Sequence, residues 1–129
     1  MIDDMGIFRT SITITGLSQA GRKRALDDVM VDTGSEYSWI PRDILEELQV
    51  APLRIDAFQT ADGRVVRREV GFALISAGGR IAASAVVFAE PGDMALLGAH
   101  TLEGLNLRVD STTKRLVDAG PAPAAVAAA

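Results

Sequence analysis

The sequence predicts an all-β, mostly antiparallel fold: one barrel-like lobe with one or two short helices. Three observations carry this. Apolar and polar residues alternate with period two near the N-terminus, Asp62-Gly63 interrupts two apolar runs as a hairpin turn does, and Gly- and Pro-containing turns recur at short intervals.

The elements can be taken in order. Phe8, Thr10, Ile12 and Ile14 alternate with Arg9, Ser11, Thr13 and Thr15, which marks a half-buried strand. Gly16 to Arg24 is polar and turn-like, and Ala25 to Val31 returns along the first strand. After a short apolar run, Tyr37 to Ile40, Pro41 suits the first turn of a brief helix with Ile44, Leu45 and Leu48 on one face. Leu53 to Thr60 and Val65 to Ile75 flank Asp62-Gly63, whose two positions are expected to take positive φ. On the second of these strands Val66, Val70, Phe72 and Leu74 share a face, and Gly71 suggests a bulge. Ala77 to Arg80 turns the chain into a strand over Ile81 to Ala89. Pro91-Gly92-Asp93 turns it again before Ala95 to Leu97, and a helix-like stretch follows from Ala99. Leu105, Leu107 and Val109 alternate with polar residues, and Ser111-Thr112-Thr113 leads into Lys114 to Val117. Residues 1–118 read as one domain, and the Ala/Pro-rich residues 119–129 as a flexible tail.

Composition narrows the chemistry. A chain of 129 residues can bury one core but has no room for two such lobes in tandem. With 13 basic against 17 acidic residues it carries a net charge of −4, which offers no footprint for nucleic acid. The absence of cysteine removes disulfides, thiol nucleophiles and thiolate metal sites, and a lone histidine, His100, leaves no histidine cluster for zinc. No metal or cofactor is expected. Met1-Ile2-Asp3-Asp4 lacks the basic, apolar start of a signal peptide, and no apolar run approaches the ~20 residues that span a bilayer, so a cytoplasmic location is expected.

Asp32-Thr33-Gly34-Ser35 is the most informative segment. It places a carboxylate in a tight loop between two apolar strands, with glycine letting the backbone fold close behind it and two hydroxyls offered to hold it. Later comes Ala95-Leu96-Leu97-Gly98 with its helix-like continuation, and between the two lies Phe58-Gln59-Thr60-Ala61-Asp62-Gly63-Arg64. Together these segments, over roughly Ile7 to Val117, resemble the retropepsin-like aspartic proteases, most of all their small cellular bacterial and archaeal members.

The resemblance implies a homodimeric peptide hydrolase. Asp32 would hold the lytic water with its symmetry mate, Gly34 would contact substrate, Thr33 would bond across the axis, and Ser35 could donate to Asp32. Thr60, Ala61, Asp62 and Gly63 would form a flap over the peptide, and Leu96, Leu97 and Gly98 would line or support its pockets. Strands at Met1 to Ile7 and Leu105 to Val109 would close the dimer. The viral members carry an arginine after the late glycine, bracing an acidic residue two positions past the catalytic glycine; here Ala99 and Glu36 stand at those positions, so that brace is expected to be missing. A second reading keeps fold and dimer but uses the groove as a catalytically silent peptide-binding or assembly module.

Overall fold

Nine strands and two helices succeed one another among the residues described in the computed structural model, 8–18 and 22–127. They are β1 (Phe8–Thr15), β2 (Lys23–Val31), β3 (Ser38–Pro41), α1 (Arg42–Glu47), β4 (Arg54–Gln59), β5 (Val65–Ala77), β6 (Arg80–Ala89), β7 (Leu96–Leu97), α2 (Ala99–Leu105), β8 (Leu107–Asp110) and β9 (Arg115–Asp118). The suggested dimer strand Met1 to Ile7 lies outside the described residues, as does part of the turn between β1 and β2.

Seven strands form one sheet in the order β1-β2-β7-β3-β6-β5-β4, and β1 also pairs with β5, so the sheet curls back on itself. Most pairings are antiparallel, but β2–β7 and β3–β6 are parallel. β7 inserts between β2 and β3, which are neighbours in sequence but not in the sheet, parallel to β2 and antiparallel to β3. β8 and β9 make a separate two-stranded ladder. Inside the curled sheet sit Ile14, Val29, Val31, Ile40, Ile75, Phe88 and Leu97, all with no exposed surface. Burying a side chain of this kind stabilises the fold by about 1.5–3 kcal/mol. The short helix α1 closes one end through Ile44 and Leu45, and α2 packs through Thr101, Leu102 and Leu105. Beyond β9, residues 119–127 are mostly exposed and form neither helix nor strand; Ala119 and Gly120 are tied back to Asn106.

Three local expectations are corrected. The bulge lies in β2, not at Gly71. Between Thr10↔Val29 and Ile12↔Leu26 the register shifts, leaving Asp27 and Asp28 opposite Ser11, and Asp28 takes φ 63°, which Asp tolerates better than most residues. Gly71 stands in an uninterrupted ladder with β6; its lack of a side chain instead admits the Ala51 carbonyl oxygen, 2.6 Å from where a Cβ would lie.

The shared face proposed for β5 also breaks at Gly71. Val70 is buried, but beyond it the buried positions are Ala73, Ile75 and Ala77, while Phe72 is 41% exposed. β5 serves two neighbours: its first half pairs with β4 in a projecting hairpin, and its second half pairs with β6 against the core. The hairpin tip differs from a two-residue turn as well. Only Gly63 has positive φ, and a turn closed by the Gly63 N–H on the Thr60 carbonyl (3.0 Å) spans Thr60 to Gly63.

The candidate active site

Asp32 follows the last residue of β2, and its placement comes from backbone bonds on both sides. Its N–H donates to the Leu97 carbonyl (3.0 Å), which extends the parallel β2–β7 ladder by one step, and its own carbonyl accepts from Ser35 N–H (3.2 Å). The carboxylate is half-buried and accepts the Gly34 N–H at 2.9 Å. A Cβ on Gly34 would come within 3.2 Å of that carboxylate oxygen, so glycine leaves the acid open on this side. Thr33 is exposed, and its hydroxyl has no partner within the chain among the described residues. Ser35 does not reach Asp32: its hydroxyl donates to the Tyr37 carbonyl at 2.9 Å, two residues on, closing the end of the loop instead.

A groove of about 910 Å³ opens in front of Asp32. Its floor includes Gly34, Ser35 and Leu96, and its roof comes from the β4–β5 hairpin, including Thr60 and Ala61. Asp62 and Gly63 sit at the exposed tip and do not line it. The Asp62 carboxylate pins the tip by accepting from the Thr60 hydroxyl and the Arg64 N–H, and those bonds hold it below the usual carboxylate range. Leu97 and Gly98 do not line the groove either. Leu97 is wholly buried, and Gly98 presses against the back of the loop, where a Cβ would lie 2.4 Å from the Tyr37 carbonyl oxygen.

Several groove residues were not singled out from the sequence. Tyr37, just before β3, and Trp39, on it, flank the buried Ser38 and both line the groove; the Phe58 ring meets both edge-on, at 5.9 and 5.1 Å between centroids. The available signal was that the chain's single Tyr and single Trp both fall just after Asp32-Thr33-Gly34-Ser35. Arg68, on the hairpin stem, grips Asp93 in the loop before β7 with two bonds, 2.7 and 2.9 Å, and this pairing holds the Asp93 carboxyl below its usual range. Behind that loop Arg42 bonds Glu90 (2.7 Å) and Glu69 (2.5 Å) and lies 5.0 Å over the Phe88 ring. Among groove carboxylates Asp93 is thus committed to an arginine, whereas Asp32 has no cationic partner among the described residues.

At the far end Glu36 has a histidine for a neighbour. His100, one position past the expected brace, sits 3.9 Å from its carboxylate and edge-on to Tyr37, but both side chains are at least half exposed and the pair is worth little. No group of three or more His, Asp or Glu able to hold a metal ion exists among the described residues, and no helix there is long and apolar enough to cross a membrane.

Residues 24–104, which hold the Asp32 loop, the hairpin and the Leu96-Leu97-Gly98 segment, match the family described as gag-polyprotein putative aspartyl protease. The chain belongs to that family. A solved structure similar to this aspartyl protease-family chain is the solution structure of the simian foamy virus (mac) protease. It is 20% identical, with 74% of this chain and 91% of that one covered and a TM-score of 0.49. No curated protein matches the chain. The aspartyl protease family member described here has a retropepsin-like fold, and Asp32, within the matched residues, faces the groove.

Proposed function

We propose that the chain is one half of an aspartic endopeptidase, a homodimer whose two Asp32 carboxylates meet on the two-fold axis and cleave extended peptides. The observation that carries this is the isolation of Asp32 in the groove: the chain supplies a single Asp-Thr-Gly-Ser, and of the other carboxylates lining the groove Asp93 is held by Arg68 and Glu36 is largely exposed. Metal-free hydrolysis needs a base to take a proton from water and an acid to protonate the carbonyl oxygen. Two carboxylates sharing one proton do both, because like charges in contact cannot both ionise easily. The second one must come from another copy, which makes the site isologous.

The free Thr33 hydroxyl supports this reading, since it is available to a partner. The hairpin supplies a lid that excludes water, and its strands can meet an extended peptide main chain to main chain. The test is to mix the wild-type chain with an excess of Asp32→Asn chains, while sedimentation reports the oligomeric state. Activity should fall as heterodimers form; undiminished activity would refute the shared site.

A further inference from the structure

Behind the catalytic loop runs a line of buried hydroxyls. Ser38 on β3 and Thr101 on α2 have no exposed surface, and Ser84 on β6 has 6%. The Gly98 N–H donates to Ser38 Oγ (3.0 Å), Ser38 Oγ lies 2.5 Å from Thr101 Oγ1, Thr101 Oγ1 lies 2.7 Å from Ser84 Oγ, and Ser84 Oγ donates to the Ala85 carbonyl (3.2 Å). The two ends fix the direction of every bond. Gly98 N–H can only donate and the Ala85 carbonyl can only accept. Ser38 therefore donates to Thr101 and Thr101 to Ser84. The reverse order would leave the buried Ser38 proton without an acceptor, at a cost of about 1–3 kcal/mol, and no buried side-chain polar atom here lacks a partner.

The line ends on Gly98, in the segment bonded to the Asp32 loop. Leu97 accepts the Asp32 N–H, Ala99 N–H donates to the Ser35 carbonyl (2.7 Å), and His100 N–H donates to the Glu36 carbonyl (3.0 Å). With Gly98 on Ser38, four consecutive residues are thus bonded to the 32–38 loop. Three of those bonds are main chain to main chain and indifferent to side-chain identity. The Gly98 bond is the exception, and it ties the segment through Thr101 to β6, the strand behind the loop.

We propose that Thr101 is a positioning residue for Asp32: its hydroxyl, which joins the Ser38 and Ser84 side chains across the β3–β6 ladder, sets where Gly98, and through it the catalytic loop, sits. The inference rests on Asp32 being the catalytic carboxylate. A dyad sharing one proton tolerates little displacement, because a shift on the order of 1 Å costs about a hundredfold in rate.

The test compares Thr101→Val, which keeps the shape and removes the hydroxyl, with Thr101→Ser, which keeps the hydroxyl and removes the methyl. Ser84→Ala serves as a milder break in the same line. Thr101→Val should lower kcat by roughly ten- to a hundredfold with KM within about twofold, Ser84→Ala should lower it less, and Thr101→Ser should recover most of the loss. Amide exchange at Asp32 and Ala99 should quicken in Thr101→Val and not in Thr101→Ser, with the β4–β5 hairpin unchanged. A Thr101→Ser variant as slow as Thr101→Val would overturn the inference, since packing and not the hydroxyl would then matter. Unchanged kcat in Thr101→Val would overturn it too. Should wild type cleave no peptide, the endopeptidase reading fails, and the exchange comparison still decides the linkage: equal protection at Asp32 and Ala99 in Thr101→Val and wild type refutes it.

Discussion

The Gly98 Cα faces the Tyr37 carbonyl so closely that a Cβ there would lie 2.4 Å from the oxygen. Backbone conformation does not demand glycine at this position, since φ is −101° and ψ 179°, an extended pair open to any residue. The demand is steric: the start of α2 is pressed flat against the loop that holds Asp32.

Gly98→Ala should therefore destabilise the protein by about 3 kcal/mol through overpacking against backbone that cannot yield. Urea denaturation measures this. A variant as stable as wild type would show that the loop and α2 can separate freely, and with that the tight placement of Asp32 would fall.

Asp32→Asn should abolish peptide cleavage and leave the thermal unfolding midpoint nearly unchanged, because an amide keeps the shape but neither shares a proton nor activates water. Activity of the wild type should also follow the dimer. Below the dissociation constant the rate should rise as roughly the square of total protein, and above it linearly. Constant specific activity in a solution shown to hold monomer alone contradicts this.

The pH profile of cleavage should be bell-shaped, with its two apparent pKa values belonging to the carboxylate pair. Ser35→Ala should leave the acidic limb where it is, since the Ser35 hydroxyl bonds the Tyr37 carbonyl and not Asp32. The variant should lose about 1 kcal/mol of stability from that bond. A moved limb would mean that Ser35 turns to the dyad when substrate binds.

Stability at low pH should depend on Arg68 and Asp93. Bonds from Arg68 lower the folded pKa of Asp93 from the ordinary 3.8. The stabilisation is therefore complete above that value and is lost as pH falls below it, through the folded pKa. Glu90, lowered by Arg42, acts in the same direction. Arg68→Met should flatten the part of the acid-side decline in unfolding midpoint that Asp93 contributes and loosen the hairpin stem. An identical decline in both proteins would show that the pair contributes nothing.

Much of this was legible in the residues themselves. Alternation marked β1, the turn residues marked the β4–β5 and β5–β6 hairpins, and Ile44, Leu45 and Leu48 marked the buried side of α1, because each signal depends only on near neighbours along the chain. The same locality explains the misses. Period two on β5 cannot tell that the hairpin half shows one face to the groove while the other half shows the opposite face to the core. A glycine in a strand signals either a bulge or a close approach, and only the Ala51 carbonyl against Gly71 decides which.

By itself, then, the sequence determined the strand-rich class, the hairpin and the loop presenting Asp32, since short-range periodicity and turn chemistry suffice for these. Only the tertiary structure decided that β7 lies between β2 and β3, that Ser35 turns to Tyr37, and that Ser38, Thr101 and Ser84 share one line of hydrogen bonds. A hydroxyl can bond any acceptor within reach, so its partner is set by which strands and helices the buried core brings together. For Gly98 and Ser38 that meeting spans 60 residues of chain, a distance over which no local pattern carries information.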